Sequence, residues 1–267
     1  MIYLKSENEI DKIREAAQLV SRTLGEVAKH IEPGVSTGSL DRIAEEYIVK
    51  SGARSAFKGY GSATNPFPAT LCISVNEEIV HGIPGDRELQ EGDIVSVDCG
   101  VEKDGFFGDH AYTFIVGECD DETAGLLKVT LESLYKGIDQ AVHGNRVGDI
   151  GSAVQEHCEP AGYGVVRDLV GHGFGKNLHE DPFVPNYGKS GRGDRLRNGM
   201  TLAIEPMITA GTWRIKTLKD GWTIVTADGS LSAHFEHDIV VRDGKAEILS
   251  TFDYITEITK IEILELI

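Results

Sequence analysis

Residues 94–114 of the chain read IVSVDCGVEKDGFFGDHAYTF. Two runs rich in β-branched and aromatic residues flank Asp104-Gly105, and this arrangement strongly indicates a β-hairpin with a two-residue turn. Such a turn pairs Asp98 with Ala111, so Asp98 and Asp109 become diagonal neighbours on one face, with Cα atoms roughly 7–8 Å apart. Two carboxylates held together away from water are costly unless a cation joins them. The hairpin therefore predicts a cation site.

The second half of the sequence supplies a matching pair of acidic residues. Glu205 and Glu236 each stand in an apolar run that predicts a strand, at residues 201–207 and 232–240. His172 lies before both, and the glycines beside it are expected to leave room for a ligand or a metal. Each of these residues alone would be an ordinary structural group. Four carboxylates with one imidazole instead suit two divalent ions of manganese, iron, cobalt or zinc.

The first fifty residues predict two helices. Ser6 and Glu9 form an S-x-x-E capping box. Apolar residues then recur at alternating spacings of three and four, which lays one apolar stripe along a helix over residues 6–31. A second helix is predicted at about 37–51.

A second helix pair is predicted at 121–142 and 148–160. Glycines recur there with one common offset of 110 residues: Gly34, Gly38 and Gly52 match Gly144, Gly148 and Gly162. This pattern indicates a duplicated unit of two helices and antiparallel strands. We therefore predict an α+β fold with a central antiparallel sheet, helices on its outer face and the metal site in the cleft between the halves.

The chain, residues 1–267, is expected to form one catalytic domain. Its two halves are predicted at about 1–119 and 120–252. For the tail after Phe252, a packed strand and a flexible end are both open.

Composition restricts the class of partner. The net charge is −17, and a field of that sign repels phosphate backbones and anionic lipid surfaces. Neither a bilayer-spanning apolar run nor a signal peptide is recognisable in the sequence, so a cytoplasmic protein is expected. None of the four cysteines stands in a CxxC pair, and reduced thiols are predicted for all of them: Cys72, Cys99, Cys119 and Cys158.

In combination, these motifs resemble the methionine aminopeptidases. The acidic and histidine residues follow that family's ligand order of Asp, Asp, His, Glu and Glu. The strings that carry the resemblance are VHGIPGD, GDIVSVDCG, DGFFGD, GHGFGKNLHE, AIEPM and SLSAHFEH, and the similarity extends from Ser6 to about Phe252. The resemblance implies the duplicated pita-bread fold. It is closest to the short bacterial type-1 form, since Glu205 follows His179 by only 26 residues and leaves no room for the type-2 insert.

The resemblance also implies a role for each ligand. Asp109 and Glu236 would bridge two divalent ions. Asp98 would complete the coordination of one ion, and His172 with Glu205 that of the other.

Catalytic and substrate-binding roles follow from the same resemblance. His179 would hydrogen-bond the peptide, His81 would lie near the scissile amide nitrogen, and Glu205 would carry a proton. The methionine side chain would lie against aromatic and sulfur surfaces, with walls from Tyr60, Phe67, Cys72 and Trp222. Three features depart from the pattern of the family: Leu178, His234 and a longer loop from Gly61 to Phe67.

The expected activity is removal of the initiator methionine from nascent proteins, with a preference for a small second residue. The substrates would be nascent polypeptide N-termini, with the ribosome as a candidate partner and a monomer as the expected state. No membrane or direct nucleic-acid partner is expected. Two alternatives remain open, an Xaa-Pro aminopeptidase or dipeptidase of the same fold and a metal-free binding protein of that fold.

Overall fold

The computed structural model describes residues 1–266. Its helices are α1 (Glu7–Ala28), α2 (Thr37–Lys50), α3 (Asp121–Gln140), α4 (Val147–Cys158) and α5 (Asp253–Thr259), with 3₁₀ turns at Glu159–Ala161 and Ile263–Glu265. The strands of the first half are β1 (Arg54–Ser55), β2 (Gly61–Ser62), β3 (Asn65–Pro66), β4 (Leu71–Val75), β5 (Glu78–Val80), β6 (Ile94–Lys103) and β7 (Phe106–Ile115). Those of the second half are β8 (Gly164–Val165), β9 (Gly171–Gly173), β10 (Glu180–Val184), β11 (Thr201–Ile204), β12 (Met207–Thr209), β13 (Ile215–Thr217), β14 (Ile224–Thr226), β15 (Ser232–His234), β16 (His237–Val240) and β17 (Glu247–Ile248).

Helix α1 starts where the sequence predicts. Ser6 and Glu9 form the reciprocal capping box, and the apolar stripe faces the core. The helix ends at Ala28, about one turn before the predicted end. Pro33 disfavours helical geometry in the residue before it, and Gly34 takes a positive φ of 89° that turns the chain away.

Two antiparallel sheets form the centre of the α+β fold. In the first half, β6 lies between β4 and β7, and β1 also pairs with β6. In the second half, the strand order is β10-β9-β11-β16-β17. Three smaller sheets complete the strand pairing of residues 1–266, with orders β15-β12-β8, β13-β14-β5 and β2-β3.

The two halves meet along β7. The backbone N–H of Glu236 donates to the carbonyl of Ala111 at 3.0 Å. The Thr113 hydroxyl accepts from the N–H of His234 at 2.9 Å and donates to its carbonyl at 2.7 Å. These contacts fix the chain between β15 and β16 against the first-half hairpin.

The predicted glycine repeat corresponds to shared geometry. Gly34 and Gly144 both take positive φ, at 89° and 97°. Gly38 and Gly148 both lie where a Cβ would come within 2.9 Å of a backbone carbonyl oxygen. The repeat therefore marks the same turn and the same close approach at the start of α2 and α4. The division into halves at residue 119 remains a prediction.

Helices cover the outer face of the sheets, as predicted. Helix α1 packs directly on β7, where a Cβ on Gly108 would lie 2.5 Å from the Ala17 nitrogen. The described part of the tail after Phe252, residues 253–266, forms neither a strand nor a free end. It continues into α5 and a 3₁₀ turn, and Ile255 and Ile263 are buried against the core.

All four cysteines are unpaired, as predicted. Within residues 1–266, no helix is both long and apolar enough to cross a membrane.

Candidate metal centre

The β6–β7 hairpin has the predicted register. Asp98 pairs with Ala111, and Asp109 pairs with Gly100 two residues along the same ladder, so both aspartates lie on one face. Asp109 is buried, at 4% exposure. The two-residue turn therefore places both aspartates at one point above the sheet.

Glu205 and Glu236 do not lie within continuous strands, and that part of the prediction is wrong. Each glutamate sits in a break between two strands that belong to different sheets, β11 and β12 for Glu205 and β15 and β16 for Glu236. Pro206 has no N–H to continue the first ladder, and the N–H of Glu236 bonds across to Ala111 instead. The breaks direct both carboxylates into the cleft.

His172 lies in the middle of β9. A Cβ on Gly171 or Gly173 would come within 2.4 Å of a backbone carbonyl of a neighbouring segment. These glycines therefore allow the backbone of the neighbouring strands to approach closely. The sequence had suggested instead that they leave room for a ligand. The Nδ1 of His172 donates to the carbonyl of Gly173 at 3.0 Å, which leaves Nε2 free as an acceptor or ligand atom.

These side chains converge in one place. Asp109, His172 and Glu236 each offer a ligand atom within 4.8 Å of the others. Nε2 of His172 lies 3.6 Å from Oε1 of Glu205, and the Asp98 carboxyl hydrogen-bonds that of Asp109. The structure thus brings all five sequence-predicted ligands together.

The electrostatics of the cluster favour cations. Burial raises the pKa of all four carboxyl groups, and neighbouring carboxylates raise the pKa of three of them further, Asp109, Glu205 and Glu236. Oδ1 of Asp98 and Oε1 of Glu236 are buried without a hydrogen-bond partner. Divalent ions would supply both the missing charge and the missing partners, and this donor set of oxygens with one nitrogen fits them.

A cavity of about 150 Å³ opens above the cluster. Its lining contains every catalytic, metal-binding and pocket residue predicted from the sequence: His81, His179, Asp98, Asp109, His172, Glu205, Glu236, Tyr60, Phe67, Cys72 and Trp222. Phe57 and Leu178 also line it. The walls are apolar and the floor is acidic.

Phe67, Trp222 and Cys72 form an uncharged part of the cavity wall. The rings of Phe67 and Trp222 meet at a centroid distance of 5.2 Å in a T-shaped contact. Cys72 is 5% exposed, and burial raises the pKa of its thiol. Together they form a neutral surface suited to an apolar side chain.

Two histidines lie above the acidic floor. His81 follows β5 in a left-handed conformation with φ of 59°, and burial lowers its pKa to about 4. His179 lies at the mouth of the cavity, with its ring 4.2 Å from that of His172 and its Nδ1 2.6 Å from the Tyr60 hydroxyl. Burial also lowers the pKa of His179. Both imidazoles are therefore neutral near pH 7 and can each donate one N–H.

A polar layer behind the ligands was not predicted. Oδ2 of Asp238 accepts from the backbone N–H of Asp109 at 2.9 Å. Nδ1 of His110 donates to the carbonyl of Glu236 at 2.5 Å, and the His110 ring stacks on Phe252. Asp109 and His110 in β7, and His237 and Asp238 at the start of β16, are polar residues in mostly apolar stretches, and they were the signal available in the sequence.

His234 lies beside the carboxylate of Glu205. The break after β15 separates it from Glu236, and its Nε2 lies 3.7 Å from Oε2 of Glu205. Both ring nitrogens are buried without a hydrogen-bond partner. His172 and His234 therefore flank the two oxygens of the Glu205 carboxylate.

Comparison with known proteins first defines the class. Residues 11–243 match the model of metallopeptidase family M24, so the chain belongs to that family of metal-dependent peptidases. The family implies divalent metal ions, in agreement with the donor set described above.

Full-length relatives then define the group within the family. The chain is 53% identical to methionine aminopeptidase of Clostridium acetobutylicum over 251 residues, which cover 94% of this chain and 99% of the relative. It is 50% identical to methionine aminopeptidase 1 of Bacillus subtilis, with 94% and 99% covered. The crystal structure of methionine aminopeptidase from Thermotoga maritima superposes with a TM-score of 0.91 at 47% identity, covering 94% of this chain and all of that one. Within the family, the chain thus groups with the type-1 methionine aminopeptidases, and the predicted pita-bread fold is confirmed.

Proposed function

We propose that this chain is a metal-dependent aminopeptidase that removes N-terminal methionine from newly made polypeptides. The observation that carries the proposal is the cavity itself, in which an apolar wall of aromatic and sulfur surfaces stands over four carboxylates and one imidazole. Relatives that are about half identical over nearly the whole chain support it.

The five convergent side chains would hold two divalent ions. Asp109 and Glu236, whose ligand atoms lie within 4.8 Å of each other and of His172, would hold them at the centre of the cluster. Asp98, His172 and Glu205 would supply the remaining ligand atoms. When bound, the ions would lower the pKa of water and so supply a strong nucleophile at neutral pH.

The neutral histidines would act on the substrate. His179 lies at the mouth of the cavity, where its N–H can donate to negative charge that develops on the peptide carbonyl oxygen. His81 lines the same cavity and can donate a hydrogen bond near the scissile amide. Glu205 borders His172 and is placed to receive a proton and return it to the leaving amine.

The wall of the cavity would select methionine. Phe67, Cys72 and Trp222 offer polarisable surfaces that suit a thioether, and Phe57 and Leu178 close the remaining side. Tyr60 lies at the entrance, hydrogen-bonded to His179. The second residue of the substrate would lie beside this hydrogen-bonded pair, which favours a small one.

The cellular setting is part of the proposal. The four unpaired thiols fit the reducing cytoplasm, where initiator methionine is carried by emerging chains. We infer action by a monomer on polypeptides leaving the ribosome.

A peptide series tests this function. Met-Ala-Ser is expected to be cleaved with a kcat/KM at least about tenfold above that of Leu-Ala-Ser, because the shape of a side-chain pocket is typically worth about 10–200-fold. Met-Leu-Ser should be a poor substrate. A chelated, metal-free preparation should be inactive and should recover with manganese, cobalt, iron or zinc.

The alternatives give different results in the same assay. Preferential release of residues linked to proline would favour an Xaa-Pro peptidase. Solved proteins of that type share the fold alone, as for the Xaa-Pro dipeptidase from Bacillus anthracis with a TM-score of 0.75 at 23% identity. Peptide binding without cleavage in the presence of every metal would favour a binding protein.

Replacing His234 by leucine is expected to lower the affinity for the metal ion that Glu205 would hold by about 10–100-fold, the usual contribution of a group that orients a ligand. The physical reason is loss of the imidazole beside Oε2 of Glu205. His234→Gln keeps an N–H donor and should lie nearer the wild type. Isothermal titration with manganese measures the effect, and an unchanged affinity in His234→Leu would show that His234 only fills space.

A further inference from the structure

His179 stands on a loop that has few backbone contacts of its own. The loop, residues 174–179, joins β9 to β10. The carbonyl of Gly175 accepts from the N–H of Phe107 at 2.9 Å, and the N–H of Gly175 donates to the carbonyl of Asn177 at 3.1 Å. The position of His179 therefore depends on side chains that tie the loop to the rest of the fold.

The carboxylate of Glu180 is the main tie. Its Oε1 accepts from the backbone N–H groups of Lys176 and Asn177, at 2.9 and 3.1 Å. Its Oε2 accepts from Nζ of Lys5 at 2.5 Å. One carboxylate thus closes the loop and links it to a residue that lies 175 positions earlier in the chain.

The Lys5–Glu180 pair is buried, unlike most ion pairs of this protein. The two side chains are only 7% and 5% exposed. The Lys50–Glu46 pair, by comparison, has exposures of 76% and 71%. Loss of one partner of a buried pair leaves an uncompensated charge that must move towards water.

The backbone of Lys5 is itself held by the residues around it. Its backbone N–H donates to the carbonyl of Gly199 at 2.7 Å, and the next residue, Ser6, caps helix α1. A Cβ on Gly175 would lie 2.4 Å from the Cε of Lys5, so the lysine stem packs tightly on the loop. Lys5 therefore connects the start of helix α1 to the 174–179 loop.

We propose that Lys5 and Glu180 are positioning residues that set the place of His179 over the metal centre. This inference rests on the proposed function, because it concerns the geometry of the same reaction. Neither side chain lines the cavity. The pair acts by fixing the 174–179 loop, and with it the distance between the imidazole of His179 and the reacting carbonyl.

Replacing Lys5 by methionine is expected to lower kcat on Met-Ala-Ser by about 10–100-fold, since displacement of a catalytic group by about 1 Å can cost that much. KM and the number of bound metal ions should change little. Lys5→Arg keeps the charge and should recover most of the turnover. Lys50→Met, which breaks an exposed pair, is the matched control and should behave as wild type.

Two further variants separate positioning from general loss of structure. Lys5→Met combined with Glu180→Gln removes both charges, and it should be no worse than Lys5→Met alone if the two residues act as a unit. In a His179→Ala background, Lys5→Met should change kcat by less than about twofold, because the group that it positions is gone.

Equal losses of kcat in the wild-type and His179→Ala backgrounds would overturn the inference, as would full activity of Lys5→Met. An inactive wild-type protein would instead contradict the proposed function, so the two failures are distinguishable.

Discussion

Replacing His172 by alanine is expected to remove metal and turnover together. One ring nitrogen of His172 lies within 4.8 Å of ligand atoms of Asp109 and Glu236, and the other is fixed by the carbonyl of Gly173. Groups that only orient a metal ligand contribute about 10–100-fold to metal affinity. Loss of a ligand itself should therefore weaken binding of one ion by more than about 100-fold.

Isothermal titration and elemental analysis measure the number of bound ions, and a Met-Ala-Ser assay measures turnover. His30→Ala is the control, because His30 follows helix α1 and does not line the cavity. A His172→Ala protein that binds two ions with wild-type affinity would remove His172 from the metal centre.

Replacing His179 by alanine should leave both metal ions bound and lower kcat by roughly 100–1000-fold, the usual effect of removing one donor to a developing oxyanion. KM should change much less. His81→Ala should behave similarly. The reason is that four carboxylates and one imidazole would already provide the ligands, and further imidazoles would close positions that substrate and water need.

Tyr60→Phe provides a graded comparison. It removes the hydroxyl that hydrogen-bonds Nδ1 of His179 at 2.6 Å but keeps the imidazole. Its effect on kcat should be smaller than that of His179→Ala. A crystal structure or calorimetric titration in which His179→Ala lacks one ion would contradict this division between ligands and donors.

Local pattern was enough to predict the first half of the site. The Asp-Gly turn fixes the register of β6 and β7 over a few residues, so the pairing of Asp98 with Ala111 followed from counting alone. The capping box of α1 is equally local, and Ser6 and Glu9 form it as expected. In both cases the determining residues are close together in the chain.

Features set by distant contacts were predicted less well. The strand breaks at Glu205 and Glu236 arise because each chain passes from one sheet to another, which periodicity does not reveal. The tail became a helix because α1 offers it an apolar face, with Gly25 in contact with Tyr254. Lys5 and Glu180 lie 175 residues apart, so no window of sequence relates them.

The resemblance to a family filled part of this gap for the site. It indicated His81, His179 and the pocket residues, all of which line one cavity in the structure. It did not indicate Asp238 or His110, which support the ligands from behind. Those contacts depend on packing between halves rather than on a motif.

The break that places Glu236 in the cleft also dictates when the centre can form during biosynthesis. The 94–115 hairpin closes locally and can fold soon after it is synthesised, whereas its contacts with Glu236 span more than a hundred residues of sequence. A growing chain therefore presents Asp98 and Asp109 long before Glu236 and Phe252 exist to enclose them. A nascent chain that has not yet reached Glu236 therefore lacks one of the five predicted ligands, and the centre can be completed only after that segment is synthesised.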